Sequence, residues 1–251
     1  MVVAVALVYG ITHSPGWEEV KAAFFDWGKY EDSFPEISRA FLLNVKIFCI
    51  AEAFILVFAL LLAVLRSLPG PVFFPIRALA IAYADFFRGV PTILVIAILG
   101  FGVPALDVAG VPRSETFWAI VALVLIYTAY VSEVYRAGID SVHPSQEAAA
   151  RSLGLTRGQA LTSVVLPQAV RRVIPPLLND FIGLQKDTAL VGILGSVEAF
   201  KQSQINTQTD FNFTHYLVAA TLFVAITIPL ARFTDWLVAR DRRKRQAGSL
   251  V

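Results

Sequence analysis

A single cysteine occurs in the 251 residues, Cys49 within an apolar run, which excludes an intrachain disulfide framework and a cysteine-rich metal site. Histidine is almost as scarce. His13, His143 and His215 are scattered along the chain, so neither histidine-based catalysis nor a metal site finds support. Charge is also low: Asp, Glu, Lys and Arg make up 16% of the residues, against roughly 25% in an average soluble protein. A water-soluble fold of this size would have too few charges to cover its surface. The chain has no Gly-x-x-x-x-Gly-Lys-Ser/Thr phosphate loop. Its one Gly-Lys pair, Gly28-Lys29, lacks that pattern, so no nucleotide cofactor is expected in this chain. Low-complexity segments and internal repeats are absent too, and nothing points to a nucleic-acid partner.

What is present is apolar. Hydrophobic residues reach 57% and the mean hydropathy is +0.66. A bilayer core of about 30 Å needs about 20 mostly apolar residues in a helix, and the clearest runs of that kind are 42–65, 117–135 and 216–237. Two further runs are interrupted by polar residues and prolines. One is 80–101, with Asp85, Arg88, Gly89 and Pro91; the other is 173–194, with Asn179, Asp180, Lys186 and Asp187. The expectation is therefore an all-α integral membrane protein with about five transmembrane helices. The connections 66–77, 136–172 and 240–251 carry 12 Lys and Arg residues, the alternate connections only 5. By the positive-inside rule the N-terminus lies outside and the Arg242-Arg243-Lys244-Arg245 tail lies in the cytoplasm. The organisation expected is an external segment 1–40 with an interfacial helix around Trp17 to Trp27, a membrane domain 41–239, and a basic tail 240–251. The first ten residues are apolar but too short to span, and they lack the basic start of a signal peptide.

The loop 143–167 has its own local grammar. Pro144 suits a first helical position, and Ala148, Ala149 and Ala150 are strong helix formers with small side chains. Gly154 fits a left-handed C-cap. Thr156 and Gln159 then have capping-box spacing for a second helix. The pattern predicts a small-faced helix–turn–helix on the cytoplasmic side, shaped to enter a groove of another protein.

This loop resembles the coupling motif of ABC-importer permeases: Glu-Ala-Ala, three residues, Gly, nine residues, an aliphatic residue, any residue, then Leu-Pro. Ala149, Ala150, Gly154, Val164, Leu166 and Pro167 fall on that spacing. The Glu of the pattern falls on Ala148, and Glu147 sits one residue early. Two stretches resemble the histidine/glutamine-type polar amino-acid permeases more narrowly. Asp85-Phe86-Phe87-Arg88-Gly89-Val90-Pro91 is similar to their Glu-x-Phe-Arg-Gly-Thr-Pro, and Lys186-Asp187-Thr188-Ala189-Leu190 to their Lys-Asp-Thr-Ser-Leu. The resemblance implies a type I ABC-importer permease fold in a bacterial cytoplasmic membrane. It also implies a non-catalytic transport subunit, with ATP and Mg bound by a separate ATPase that docks on the loop. A second permease chain and an extracytoplasmic amino-acid-binding protein complete the expected assembly.

Ionisable residues inside spans normally face a bundle interior or a wet cavity. Asp180, Gly183 and Asp187 recur at i, i+3, i+7 and give the span 173–194 one acidic, open face. Asp187 and Thr188 are placed to hold the α-amino group of an amino acid, as the resemblance also implies. Asp85 and Glu133 are candidates for a second contact. Asp180 has a competing structural reading, an ion pair with Arg88 or Lys186. Glu52, midway along the span 42–65, has no evident partner. Prolines 175, 176 and 229 are expected to kink their helices. Two other function classes fit less well. An ion-gradient-driven transporter would show repeated halves and leave the loop without purpose. A membrane-embedded enzyme would need an inward nucleophile–base or metal constellation.

Overall fold

The computed structural model describes residues 9, 10, 12–68 and 70–248, with side chains as far as Arg240 except that of Arg157. The expectations for residues 1–8 and for the side chains of the basic tail lie outside these described residues. The described chain is helical throughout its ordered elements and contains no strand. In chain order we label α1 Trp17–Phe24, α2 Trp27–Ser67, α3 Phe74–Gly89, α4 Thr92–Ala105 (with a π-turn at Ile98–Gly102) and α5 Glu115–Asp140. There follow α6 Pro144–Ser152, α7 Arg157–Ala160, α8 Leu166–Asp187, α9 Ala199–Asp210 and α10 Thr214–Gly248. A π-turn at Leu161–Val165 makes α7 and α8 continuous, and a 3₁₀ segment Thr188–Leu194 extends α8.

α2 is capped by Asp26, whose carboxylate accepts from the Lys29 N–H at 3.2 Å. It then runs for 41 residues, or about 60 Å at 1.5 Å per residue, twice the bilayer core. The helix therefore begins well before Leu42, and residue 40 is no structural boundary. Its inward stripe repeats at three and four residues through Ile37, Phe41, Asn44, Ile47, Ala51, Ile55, Ala59 and Leu62. Its other side, including Phe54, Val57, Phe58 and Leu61, is exposed as lipid requires. α5 is the central helix, with Ala119, Ala122, Leu123, Ile126, Ala129 and Ser132 fully buried. Small residues on it let neighbours approach closely. At Gly138 the Val173 side chain of α8 occupies the space a Cβ would need.

Among the described residues three helices are long and apolar enough to cross a membrane: the long N-terminal helix, α5 and α10. The α3–α4 pair qualifies as a fourth span if taken together, although it is bent by 101°. The run 80–101 is thus two helices, not one interrupted helix. Pro91 lacks an N–H and forces Val90 out of the helical region, to φ −93° and ψ 132°. The run 173–194 lies on α8 and its 3₁₀ extension and is too polar to qualify by composition. Pro175, Pro176 and Pro229 sit inside helices that continue past them.

The connections poor in Lys and Arg gather at one end of the bundle. The Ala23 carbonyl accepts from Phe213 N–H at 2.7 Å, the Ala22 carbonyl from Asn212 at 3.0 Å, and Thr116 bonds Ser196 at 2.7 Å. The Lys- and Arg-rich connections meet at the other end, where Arg66 and Arg136 close on Glu133 and Arg172 reaches the Ser141 carbonyl.

Candidate functional site

Two regions carry most of the residues singled out by sequence. The first is the loop 143–167. His143 caps α6 by accepting from the Ser145 N–H at 3.2 Å, and Pro144 occupies the first turn. The helix closes in a Schellman motif. Leu155 N–H donates to the Ala150 carbonyl at 3.3 Å and Gly154 N–H to the Arg151 carbonyl at 3.0 Å, with Gly154 at φ +92°. The next helix opens with a reciprocal capping box: Gln159 N–H donates to Thr156 Oγ1 at 3.3 Å, and Thr156 N–H donates to Gln159 Oε1 at 2.9 Å. Neighbouring turns are thereby locked to each other by backbone-directed bonds.

The loop is seated on the bundle by a small cluster of Val142, Val165 and Ala169. A bond from Gln168 to Gln146 at 3.4 Å adds to it. Ala150 is buried, whereas Ala148, Ala149 and Leu153 are exposed, Leu153 to 83%. Beside Ala148 lies a hollow of about 520 Å³, lined also by Arg151, Ser152, Gly154, Leu155 and Thr156. Glu147 is half-buried on the first turn of α6. Leu166 and Pro167 start α8, so a push on the loop is a push on that helix.

The second region is the acidic face of α8. Asp187 accepts from the Tyr127 hydroxyl of α5 at 3.0 Å, and the Thr92 side chain at the start of α4 also reaches its carboxylate. Gly183 gives the ring room, because a Cβ there would stand 3.1 Å from the Tyr127 hydroxyl, a tight contact. Asp187 therefore sits where α4, α5 and α8 converge beside the bend between α3 and α4. Asp180 lies two turns away on the same face, with its Oδ2 buried and without a hydrogen bond. The alternative pairings for Asp180 are not formed. Arg88 turns to Glu133 at 3.2 Å, and Lys186 is exposed.

The other sequence candidates fall elsewhere. The Thr188 hydroxyl is fully buried; it donates to the Gln185 carbonyl at 2.7 Å and accepts from Asn44 at 3.1 Å. Its bonds serve the fold on the far side of the helix from solvent. Glu133 is held by three guanidinium groups, Arg66 at 2.6 Å, Arg88 at 3.2 Å and Arg136 at 2.9 Å, tying α2, α3 and α5 together. Asp85 is exposed on α3 and takes part in none of these contacts. Neither Glu133 nor Asp85 is a partner of Asp187.

One arrangement was not read from sequence. Asn44 donates to Glu198 Oε2 at 2.9 Å as well as to Thr188, and its Oδ1 accepts from Ala199 N–H at 3.1 Å. Glu198 in turn caps α9 by accepting from Phe200 and Lys201 N–H at 2.9 and 2.8 Å. Both Glu198 and Thr188 are fully buried. An Asn at the start of an apolar span and a Glu preceding a polar helix were the available signals, but nothing in their separation of 154 residues connects them.

The family described as "binding-protein-dependent transport system inner membrane component" matches residues 56–243. The probable glutamine ABC transporter permease protein GlnM of Bacillus subtilis is 34% identical, covering 88% of this chain and 97% of that protein. The glutamate/aspartate import permease protein GltK of Escherichia coli O157:H7 is 31% identical, over 86% of this chain and 98% of its own length. Among solved structures, an amino acid ABC transporter crystallised with histidines superposes with a TM-score of 0.76 at 26% identity, covering 86% of this chain and 98% of that one.

Proposed function

The chain belongs to the family of inner membrane components of binding-protein-dependent transport systems, and from that membership we propose that it is the permease subunit of an ATP-driven importer for a polar amino acid. It is a transport component and not an enzyme. The observation that carries the reading is the cap-locked loop 143–167, which presents small exposed side chains and a hollow on one side and the start of α8 on the other. A separate ATPase, holding ATP and Mg, docks its groove on Ala148, Ala149 and Leu153. Its closure then moves α8 as a packed two-state element. The Lys- and Arg-rich end of the bundle faces the cytoplasm, so the N-terminus lies outside and five segments cross: α2, the α3–α4 pair, α5, α8 and α10.

Five crossings enclose no complete pathway, so a second permease chain completes it, and an extracytoplasmic amino-acid-binding protein delivers cargo to the outer end. Asp187, braced by Tyr127 at the convergence of three helices, takes the α-ammonium group. The names of the relatives specify different cargoes, glutamine in one and glutamate or aspartate in another, which supports an amino acid without selecting one. Two variants test the reading in proteoliposomes containing the complete importer. Gly154→Val places a β-branched residue at φ +92°, a strain of roughly 1–2 kcal/mol. It is expected to leave insertion intact while uptake falls at least tenfold and ATP hydrolysis continues. Asp187→Ala is expected to lower uptake and binding with ATP hydrolysis intact. Wild-type uptake in both variants contradicts the proposal.

A further inference from the structure

Glu52 is the least expected side chain in the bundle. It lies in the inward stripe of α2 between Ala51 and Ile55, is 8% exposed, and has its Oε1 buried with no hydrogen-bond partner. Among the described residues the charged group within electrostatic reach of it is Asp180 of α8, itself with a buried, unbonded carboxylate oxygen, and the Tyr135 ring of α5 lies within similar reach. No described ion pair uses either acid. The nearby guanidinium groups are committed to Glu133, and Lys186 is exposed.

Two carboxylates within reach of each other's charge inside a bundle repel each other and are poorly solvated, and such groups in spans mark pathways for cations and substrates. The pair is also in register with the amino-group site. Asp180 and Asp187 are seven residues apart on one helix, or about 10 Å along its axis. Between them on that face stands Gly183, and the Tyr127 hydroxyl that bonds Asp187 packs into the space its missing side chain leaves. The two cationic ends of an extended basic amino acid lie about 7 Å apart by ordinary bond lengths, and each adds a hydrogen bond of about 3 Å.

We infer that Glu52 and Asp180 bind the cationic side chain of the cargo, so that this importer carries a basic amino acid with a long side chain. The inference rests on the importer reading and names its substrate class. A guanidinium or ammonium group supplies to the two acids the opposite charge that no described side chain provides. A neutral amide of similar size offers hydrogen bonds without that charge, and an acidic amino acid adds a third negative group.

Arginine and its uncharged isostere citrulline separate these cases. Direct binding is measured on the permease purified with its ATPase subunit, in the absence of the binding protein, so that only the membrane site selects. Wild type is expected to bind arginine at least tenfold more tightly than citrulline or glutamine. Glu52→Gln and Asp180→Asn, both close in shape to the native residues, are each expected to weaken arginine at least tenfold and to shrink its advantage over citrulline. Equal binding of arginine and citrulline by the wild-type complex overturns the inference whether or not the variants fold. Preference for arginine that survives both variants assigns the charge recognition elsewhere and also overturns it. A complex that binds none of the three amino acids contradicts the importer reading itself, and this inference with it.

Discussion

The loop 143–167 and the buried network around Asn44 are both held by polar bonds, yet they were unequally visible before the structure. The bonds that shape the turns of the loop join residues within a few positions: Thr156 with Gln159, Leu155 with Ala150, His143 with Ser145. Propensity and cap spacing describe such bonds completely, so Pro144, Gly154 and the Thr156–Gln159 box were readable in order. In the network Asn44 joins Glu198 and Thr188 across 154 and 144 residues, and no local rule connects them. Local bonds shape a surface for a partner, whereas distant ones decide which helices share an interior.

The two regions should respond differently to the loss of a single polar group. Asn44→Leu leaves the buried Ala199 N–H and Glu198 carboxylate without their partner, each a loss of about 1–3 kcal/mol. It is expected to produce the largest effect, a marked fall in thermal stability in detergent or failure to yield folded protein. A melting temperature within a degree or two of wild type would mean that the network is ornamental. Thr156→Ala removes one side of the capping box and is expected to cost about 1 kcal/mol. Because the loop sits at the edge of the bundle, global melting should move little while proteolysis within 150–160 quickens. Equal loss of global stability in the two variants erases the distinction.

The smallest effect concerns the clasp at the Lys- and Arg-poor end of the bundle, beyond the apolar run 216–237. Lys29 pairs with Asp210 at 2.8 Å, and His215 lies 3.1 Å from the same carboxylate. Burial works to raise the Asp210 carboxyl, but the hydrogen bonds from Lys29, His215 and the Asn212 N–H outweigh it and hold it at about 2. The folded value is below the unfolded one of about 3.9. The clasp therefore stabilises fully above that value and is lost as pH falls through about 2. Wild type is expected to lose a small increment of thermal stability between about pH 4 and pH 2 that Asp210→Asn does not. Parallel curves for the two proteins remove the clasp from the account.

The same local-versus-distant division explains what was legible in the fold and in the site. Apolar runs placed α2, α5 and α10, because twenty apolar residues have few other uses. The α3–α4 bend was signalled by Gly89 and Pro91 but not its size of 101°, since proline fixes where a helix stops and packing fixes where the next one points. On α8 the spacing of Asp180, Gly183 and Asp187 foretold one face. That Tyr127 would fill it, and that Glu133 would be claimed by three arginines, depended on helices whose mutual rotation no single segment records. Thr188 sits beside Asp187 in the chain, yet one residue of helix turns it by about 100°, into the Asn44 network.

The central claim is that the loop 143–167 is the contact through which a separate ATPase drives this bundle. The most direct measurement is crosslinking from Ala149→Cys, with Cys49→Ser removing the one native thiol, in membranes containing the co-expressed ATPase subunit. The account predicts a crosslink between the two chains whose yield changes when ATP is bound, and no labelling of that thiol by an impermeant reagent added outside the cell. Labelling from outside, or a thiol that meets the ATPase under no nucleotide condition, would contradict it.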